Sequence, residues 1–526
     1  MRHLPGAAGL LALFALASIA GCGPRMIETG ATAFEADAGP ADAGAPEAGD
    51  GDAGADAGAG TDAALPLDTG VADPRVPPTG TFPYVFKDDD RAPQWARFRA
   101  EGLTGDEVLA SFPDYMKKFT EKKRTAPSAE REYFERQRKL QAAVRAAGSV
   151  PSGAVTARIG LAGDIMWISD SWDTFLDPVL RERMEKDDLW LGNLETPIAA
   201  SVEVGVTMAG LPVFNSAPGL VRSFRRDDGA PLFAALSFSN NHTLDHGDAA
   251  ARETLDFLAS EGIAAAGGRT APGSRFVGLE VDGIRLGVYA ATWGINDMTL
   301  LDSTALEIDV VPGLAPPGAR QVDLTEAREV LSEMALGGVD LSILLLHWGH
   351  EYEMFPDPVQ MVVARELVWA GADIIVGAHS HVPQPAELCF VNGAEAKYAA
   401  DHPDLEATRA DGGCVLAGAP GPPRKALVLY SLGNFATAMS TELCRAGTYC
   451  SLEVFRNTDG AVDWLMPRHG FVYNAPEAPP DGTRRTLKLS DYLAANCFAD
   501  ACPAVTQDEI AYLREHLGSD LGLAEE

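Results

Sequence analysis

The sequence predicts an α/β domain built around a largely parallel sheet, and three observations carry that expectation. Between residues 157 and 473, short apolar runs with strand character alternate with stretches of helical apolar spacing. Five of those runs stop at clusters of polar residues. After the run over 232–238 the polar turn passes straight into a helical pattern. Strand, polar turn and helix in that order set side chains at the carboxyl edge of a parallel sheet, where α/β folds take their ligands.

In chain order, buried strands are read over 158–162, 189–191, 232–238, 284–291, 340–346, 373–377 and 426–430. Helices are read between several of them, over 218–226, 248–260, 324–336 and 358–369. Residues 386–423, which hold two of the cysteines, read as an insertion, and no internal repeat is evident. The main domain is expected over 155–475. A helical region is expected before it over 81–150, where 115–119 and 131–141 have amphipathic spacing. A C-terminal extension is expected over 476–526, Pro-rich at first and helical near 509–517.

The N-terminus opens with Arg2 and His3, followed by an apolar run over 10–20 that is too short to span a bilayer. The run ends in Ile19-Ala20-Gly21-Cys22, which resembles the bacterial lipobox. Residues 1–22 are therefore expected to be a lipoprotein signal, with Cys22 lipidated and the exported protein anchored to a membrane. Gly23 after the cysteine is compatible with the outer membrane, facing periplasm or cell surface. Residues 23–80 are dominated by Ala, Gly, Asp and Pro, with ten acidic residues and no Lys or Arg between 31 and 74. Such a segment buries too little apolar surface to offset its ordering entropy and reads as a disordered tether. The net charge of −33 argues against nucleic acid as a partner.

Six cysteines follow Cys22, at 389, 414, 444, 450, 497 and 502. In an exported chain this reads as a disulfide set, and local pairing (389 with 414, 444 with 450, 497 with 502) is the simplest of about fifteen connectivities. The spacing does not choose among them. No CxxC or Cys/His spacing supports a zinc site.

The chemistry sits at the strand ends. The first strand ends in Gly163-Asp164-Ile165-Met166 and the second in Gly192-Asn193-Leu194-Glu195. The third ends in Asn240-Asn241-His242, with Asp245 and Gly247 close behind. Two later ones end in His347-Trp348-Gly349-His350-Glu351 and Gly377-Ala378-His379-Ser380-His381. Taken singly, an Asp after a strand is most often a helix cap and a lone His a satisfied core or surface group. Imidazoles two apart on an extended backbone face the same way and hold metal ions well. In series, the Asp, the two Asn and the three His form a mixed oxygen and nitrogen site for two borderline divalent ions.

That order of residues resembles the calcineurin-like metallophosphoesterase superfamily. The wording is similar to its CapA, or PgsA-type, branch of capsule and poly-γ-glutamate synthesis proteins: Gly-Asp-Ile-Met, Gly-Asn-Leu-Glu-Thr-Pro, Ser-Asn-Asn-His, His-Trp-Gly, His-Ser-His and Ser431-Leu432-Gly433-Asn434-Phe435. The resemblance spans 158–474 and implies a four-layer αββα sandwich. It further implies that Asp164 and His381 bind one metal, that Asn241, His347 and His379 bind a second, and that Asn193 or Glu195 lies between them. His242 becomes the proton donor or substrate contact, and Asp245 a catalytic or supporting group close by in the sequence. His350, Glu351 and Asn434 become supports for the ligands or substrate contacts. Two positions depart from the superfamily pattern. Met166 stands where a ligating His is usual, and Asn193 where a bridging Asp is usual.

Two functions follow from the resemblance. One is a metal-dependent hydrolase or transferase, using Mn, Zn, Fe or Mg, on an anionic capsule polymer or a phosphoester. The alternative is a non-catalytic, lipid-anchored capsule assembly or export factor that binds the polymer beside other capsule synthesis proteins. Because the protein is itself acidic, metals would supply most of the attraction for a polyanion. Gly267-Gly268 lacks any phosphate-loop pattern.

Overall fold

The computed structural model describes residues 128–167, 175–208, 212–311, 324–356, 358–396, 413–439, 442–478 and 483–488. The chain begins with α1 (Ser128–Ala147), β1 (Val155–Ile165), α2 (Pro178–Met184), β2 (Leu189–Leu194), β3 (Gly205–Met208), β4 (Pro212–Asn215) and α3 (Gly219–Arg222). It continues through β5 (Phe233–Ser237), α4 (Gly247–Ser260), β6 (Ala264–Ala266), β7 (Gly268–Arg269), β8 (Val277–Val281), β9 (Ile284–Thr292) and β10 (Glu307–Ile308). Next come α5 (Thr325–Leu336), β11 (Leu341–His347), α6 (Pro358–Ala370), β12 (Ile374–Ala378), β13 (Ala386–Val391), β14 (Val415–Leu416) and β15 (Arg424–Leu429). It closes with β16 (Asn434–Ala436), α7 (Glu442–Arg445), β17 (Ala446–Arg456), β18 (Val462–Trp464), β19 (Arg468–Ala478) and β20 (Thr483–Lys488).

The fold is an α/β sandwich of two mixed sheets. The first runs β20-β19-β17-β1-β2-β5-β6, with β16 beside β1 and β18 beside β17. The second runs β14-β13-β15-β12-β11-β9-β8. In the first sheet β1, β2, β5 and β6 are mutually parallel, and β17, β19 and β20 add an antiparallel flank. In the second, β9, β11, β12 and β15 are parallel, β8 runs against β9, and β13 runs against β15 but parallel to β14.

Three cores produce the layering, and strand alternation explains them. Ile343 and Leu345 of β11 join Leu161, Leu191 and Ala235 between the sheets, whereas Leu344 and Leu346 face Leu331, Leu367 and Val368 of α5 and α6. Trp190 and Leu236 turn outward from the first sheet onto Leu180, Leu220 and Leu258 of α2, α3 and α4. Because side chains alternate faces along a strand, a strand covered on both sides must be apolar at successive positions. The sequence of β11, Leu341-Ser342-Ile343-Leu344-Leu345-Leu346-His347, meets that demand.

Helix α1 packs into this body. Tyr133 and Phe134 enter the outer core of the second sheet, and Leu140 and Val144 enter the core between the sheets. A buried polar knot fixes it. Glu387 of β13 accepts hydrogen bonds from the Tyr133 hydroxyl, the Tyr430 hydroxyl (2.7 Å) and the Arg365 guanidinium of α6. Arg365 also donates to the Tyr133 oxygen at 2.9 Å.

The structure corrects several expectations. The stretch 386–423 was expected as an insertion, but among its described residues β13 and β14 complete the second sheet, and Cys389 is disulfide-bonded to Cys414 beside them. The helix expected over 218–226 shrinks to the four residues of α3. Cys444 and Cys450 are buried in different cores, so the local pairing of these two does not form. The strands β17 and β19 were not anticipated. Ser451 and Glu453 interrupt β17, which lacks the continuous apolar run of a strand buried on both faces. Past residue 475 the chain adds β20 to the edge of the first sheet. The expected signal, tether, Cys22, the helical spacing at 115–119, the cysteines at 497 and 502, and the helix near 509–517 lie outside the described residues.

Candidate metal centre

The carboxyl ends of the parallel strands of both sheets meet at one edge. In the first sheet Asp164 of β1 stands in register with Asn193 of β2 and Asn434 of β16, and Asn193 with Ser237 of β5. In the second sheet His347 closes β11 beside Thr292 of β9 and Ala378 of β12, and His379 is the next residue after β12. The two sheets touch here directly. The Asn193 amide nitrogen lies 2.8 Å from Asp164 Oδ1, to which it donates, and 3.2 Å from His347 Nδ1. The His379 backbone N–H donates to Asp164 Oδ2 at 3.1 Å.

Close backbone approach makes this possible. A Cβ on Gly163 would stand 1.9 Å from the Gly433 carbonyl oxygen, and one on Gly377 would stand 1.8 Å from that of Tyr430. With glycine at 163, the Asp164 N–H reaches the Gly433 oxygen at 2.9 Å. His379 and His381 themselves hold φ of 88° and 57°. Non-glycine residues in that region cost on the order of 1–3 kcal/mol each and persist where surrounding structure demands them.

Glu195 occupies the middle of the cluster. Its Oε1 is 3.5 Å from His347 Nε2 and 3.8 Å from His381 Nε2, and it is fully buried. Neither of its oxygens has a hydrogen-bond partner among the described residues, nor has His379 Nδ1. Two compact donor groups share it: Asp164, Glu195 and His347 in one, and Glu195, His379 and His381 in the other, the ligand atoms of each within 4.8 Å of one another. The resemblance had placed His381 beside Asp164, and those two are also near, 3.5 Å from Nδ1 to Oδ2.

The electrostatics follow from burial. Burial, and then the charge of Asp164, push the Glu195 carboxyl well above the usual range. Burial drives His347 well below the ordinary imidazole value and His379 down to about 4, so both are neutral at pH 7 and carry lone pairs. His381 goes the other way. Burial opposes its charge, but Glu195, Asp164 and Glu351 outweigh burial and raise it well above the usual value. For Glu351, burial is outweighed by His381 and the neighbouring imidazoles, which hold its carboxyl low. A buried carboxyl without a partner is costly, and a divalent ion among neutral imidazoles is what such a set accommodates. The residues present fit a metal ion.

The other expected residues fall around this centre. Asn241 Oδ1 lies 2.9 Å from His347 Nε2. His381 Nδ1 contacts Asn434 Oδ1 at 3.1 Å, and Glu351 reaches within 3.8 Å of His381 Nε2. His242 lies against Phe214 of β4, with ring centroids 4.2 Å apart and planes tilted by 34°, and its Nδ1 is 2.6 Å from Asp245 Oδ2. His350 is edge-on to Trp293 at 5.4 Å. Met166, two residues beyond Asp164, is buried and its sulfur takes a hydrogen bond from Thr437 at 3.5 Å. Asn193 reaches the middle of the cluster, but with its amide nitrogen turned to Asp164.

Sequence reasoning missed Asn296, Trp293 and Phe214. The strand over 284–291 has a polar end of the same kind, Thr292-Trp293-Gly294-Ile295-Asn296, which makes a sixth edge. That was the available signal. Phe214 arrives on the β3–β4 hairpin and has no sequence marker.

A family model described as bacterial capsule synthesis protein PGA_cap matches residues 136–439. The Capsule biosynthesis protein CapA of Bacillus anthracis is 27% identical over 207 residues, 39% of this chain and 48% of that protein. The PGA biosynthesis protein CapA of Bacillus subtilis (strain 168) is 30% identical over 156 residues, 30% of this chain and 39% of that one. The chain thus spans about half or less of the length of these curated relatives. A solved structure of a novel phosphatase from Mycoplasma pneumoniae overlaps 66% of this chain and 99% of its own at 10% identity, with a TM-score of 0.32, too loose to build on.

Proposed function

The chain belongs to the bacterial capsule synthesis protein PGA_cap family, and from that premise we propose that its strand-end centre is a metal-dependent hydrolase or transferase site acting on an anionic envelope polymer. The observation that carries this reading is Glu195, a buried carboxyl with two unpartnered oxygens set between two histidine-bearing donor groups. Asp164, Glu195, His347, His379 and His381 would hold the metal, with Asn241 Oδ1 beside His347. A divalent ion of the Mn, Zn, Fe or Mg kind supplies Lewis acidity toward a phosphoryl or acyl oxygen and toward water.

The protein's own groups do the rest. Asp245 takes the Nδ1 proton of His242 into a 2.6 Å hydrogen bond, which leaves Nε2 to give or accept a proton at the leaving group. The Phe214 ring covers one face of that imidazole and shields it from water. Asn434 holds the His381 ring from behind at Nδ1, so that Nε2 faces Glu195 and Glu351. The sequence resemblance implies poly-γ-glutamate as the polymer class, and one relative is named a PGA biosynthesis protein.

A second reading, a non-catalytic assembly or export factor that binds the polymer, is favoured by Met166 and by the Asn193 amide turned to Asp164. Both remove donor capacity from the centre. In either reading Cys22 is the proposed lipid attachment site, with residues 23–80 spacing the domain from the membrane. Labelling with a fatty-acid probe in wild type and Cys22→Ala tests the anchor.

The deciding experiment is metal content by elemental analysis of the mature chain. The same sample is assayed against a phosphoester panel and poly-γ-glutamate, with and without added Mn²⁺ or Zn²⁺. Bound metal with turnover supports the enzyme. Metal-free protein that still binds polymer supports the assembly factor and refutes the enzyme.

A further inference from the structure

Asn296 follows β9, outside every motif that marks the centre, yet it makes more contacts to functional side chains than its position suggests. Its Oδ1 accepts from the Asn241 Nδ2 at 3.1 Å, and its Nδ2 donates to Asp245 Oδ1 at 3.2 Å. The same Nδ2 lies 3.3 Å from His242 Nδ1, and the Asn296 backbone N–H donates to the Asn241 carbonyl at 2.9 Å. From these contacts we infer that Asn296 is a positioning residue that fixes which face of the Asn241 amide meets the metal centre and ties that choice to Asp245.

The argument is one of hydrogen-bond polarity. A carboxylate only accepts, and an amide donates from one end and accepts at the other. Asp245 Oδ2 is already committed to the Phe214 N–H at 2.7 Å and to His242, so Oδ1 remains for Asn296. That carboxylate oxygen demands the Asn296 nitrogen, which turns the Asn296 oxygen toward Asn241. The oxygen in turn demands the Asn241 nitrogen, and so the Asn241 oxygen points the opposite way. There it lies 2.9 Å from His347 Nε2, on the side of Glu195. An amide oxygen ligates a divalent ion and an amide nitrogen does not. One carboxylate therefore sets both the orientation of the His242 ring and the polarity of a metal ligand, with Asn296 as the link.

This inference rests on the metal-centre reading above, and its test separates the two. The mature chain is stripped with chelator and titrated calorimetrically with Mn²⁺ and Zn²⁺ as wild type, Asn296→Ala, Asn296→Thr and the exchange Asn296→Asp with Asp245→Asn, with folding checked by circular dichroism. Alanine and threonine both remove the amide fork, so a folding failure of one leaves the other. Either should weaken metal binding about 10- to 100-fold, the usual cost of losing a group that orients a ligand. In the exchange, an amide at 245 donates to the new carboxylate at 296, which still offers an oxygen to the Asn241 nitrogen, so metal binding should return close to that of wild type. A residue that merely filled space would show no such rescue. Wild-type affinity in the folded alanine or threonine variant, or an exchange variant as weak as they are, overturns the role of Asn296 alone. Wild type that takes up neither ion overturns the metal centre itself, and this inference with it.

Discussion

Replacing Glu195 with glutamine should make the metal-free protein more stable and the metal-treated protein less so. The side chain keeps its shape, but a carboxyl with two unpartnered buried oxygens becomes an amide that can donate toward Asp164. Relieving one unsatisfied buried polar group is worth about 1–3 kcal/mol. For a folded region of this size that corresponds to a rise of about 2–5 °C in Tm in chelator. The metal acts oppositely. At a hundredfold excess over Kd a ligand of the folded state adds about 2.7 kcal/mol, which wild type should gain and Glu195→Gln should largely forfeit. The two melting curves should therefore cross on addition of Mn²⁺ or Zn²⁺. The pH dependence has a definite sign. Because the folded Glu195 holds its proton above its unfolded value, its contribution favours folding at pH below the ordinary glutamate range and fades as pH rises through the raised value. In chelator, the advantage of Glu195→Gln should be small near pH 4 and widen toward neutrality. Scanning calorimetry across pH, with and without metal, measures all of this. A variant that is less stable than wild type in chelator and still stabilised by metal would refute the reasoning.

Three other outcomes are expected. The double variant His379→Ala, His381→Ala should lose divalent metal uptake while its far-ultraviolet circular dichroism remains that of wild type; full metal occupancy by elemental analysis would contradict the donor set. Glu387→Ala should lower stability by about 3–5 kcal/mol in denaturant titration, because the buried Arg365 guanidinium and two tyrosine hydroxyls lose their common acceptor. Cys389→Ser with Cys414→Ser should cost about 3 kcal/mol, as expected for releasing a loop of 25 residues, and reductant should remove the same amount from wild type.

The parts of the fold legible in the sequence were the strands covered on both faces, because continuous apolar runs leave no other reading. β11 and β12 belong to this class, and their ends led directly to His347, His379 and His381. The antiparallel flank was hidden for the converse reason: β17 mixes Ser451 and Glu453 with apolar residues, as half-covered strands do. Single residues at strand ends were readable as a set, since Asp164, Asn193 and Asn241 each follow an apolar run. Their partition around Glu195 was not, because it depends on how the two sheets face each other. The left-handed backbone of His379 and His381 had no marker either, because both are ordinary L residues held there by tertiary contacts. Asn296 was hidden by its ordinariness: one amide after a strand, informative only once Asp245 and Asn241 stand on either side of it.

The pairing of β1 with β17 bears on how the polypeptide reaches this state. Val155 pairs with Arg456 and Ala162 with Tyr449, so the first strand of the domain waits for a partner made about 300 residues later. During synthesis β1 leaves the ribosome early, at about 5–20 residues per second, and keeps an open, apolar edge until β17 follows. Long-range pairings of this kind close slowly, since the entropy of ring closure comes before any contact rewards it. A chain arrested before residue 446 would hold Asp164, its register partners Asn193 and Asn434, and every histidine of the centre, yet leave residues 155–162 of that strand without β17. Truncation near the C-terminus is therefore expected to produce aggregation rather than a smaller working domain, and a holding chaperone would act on β1.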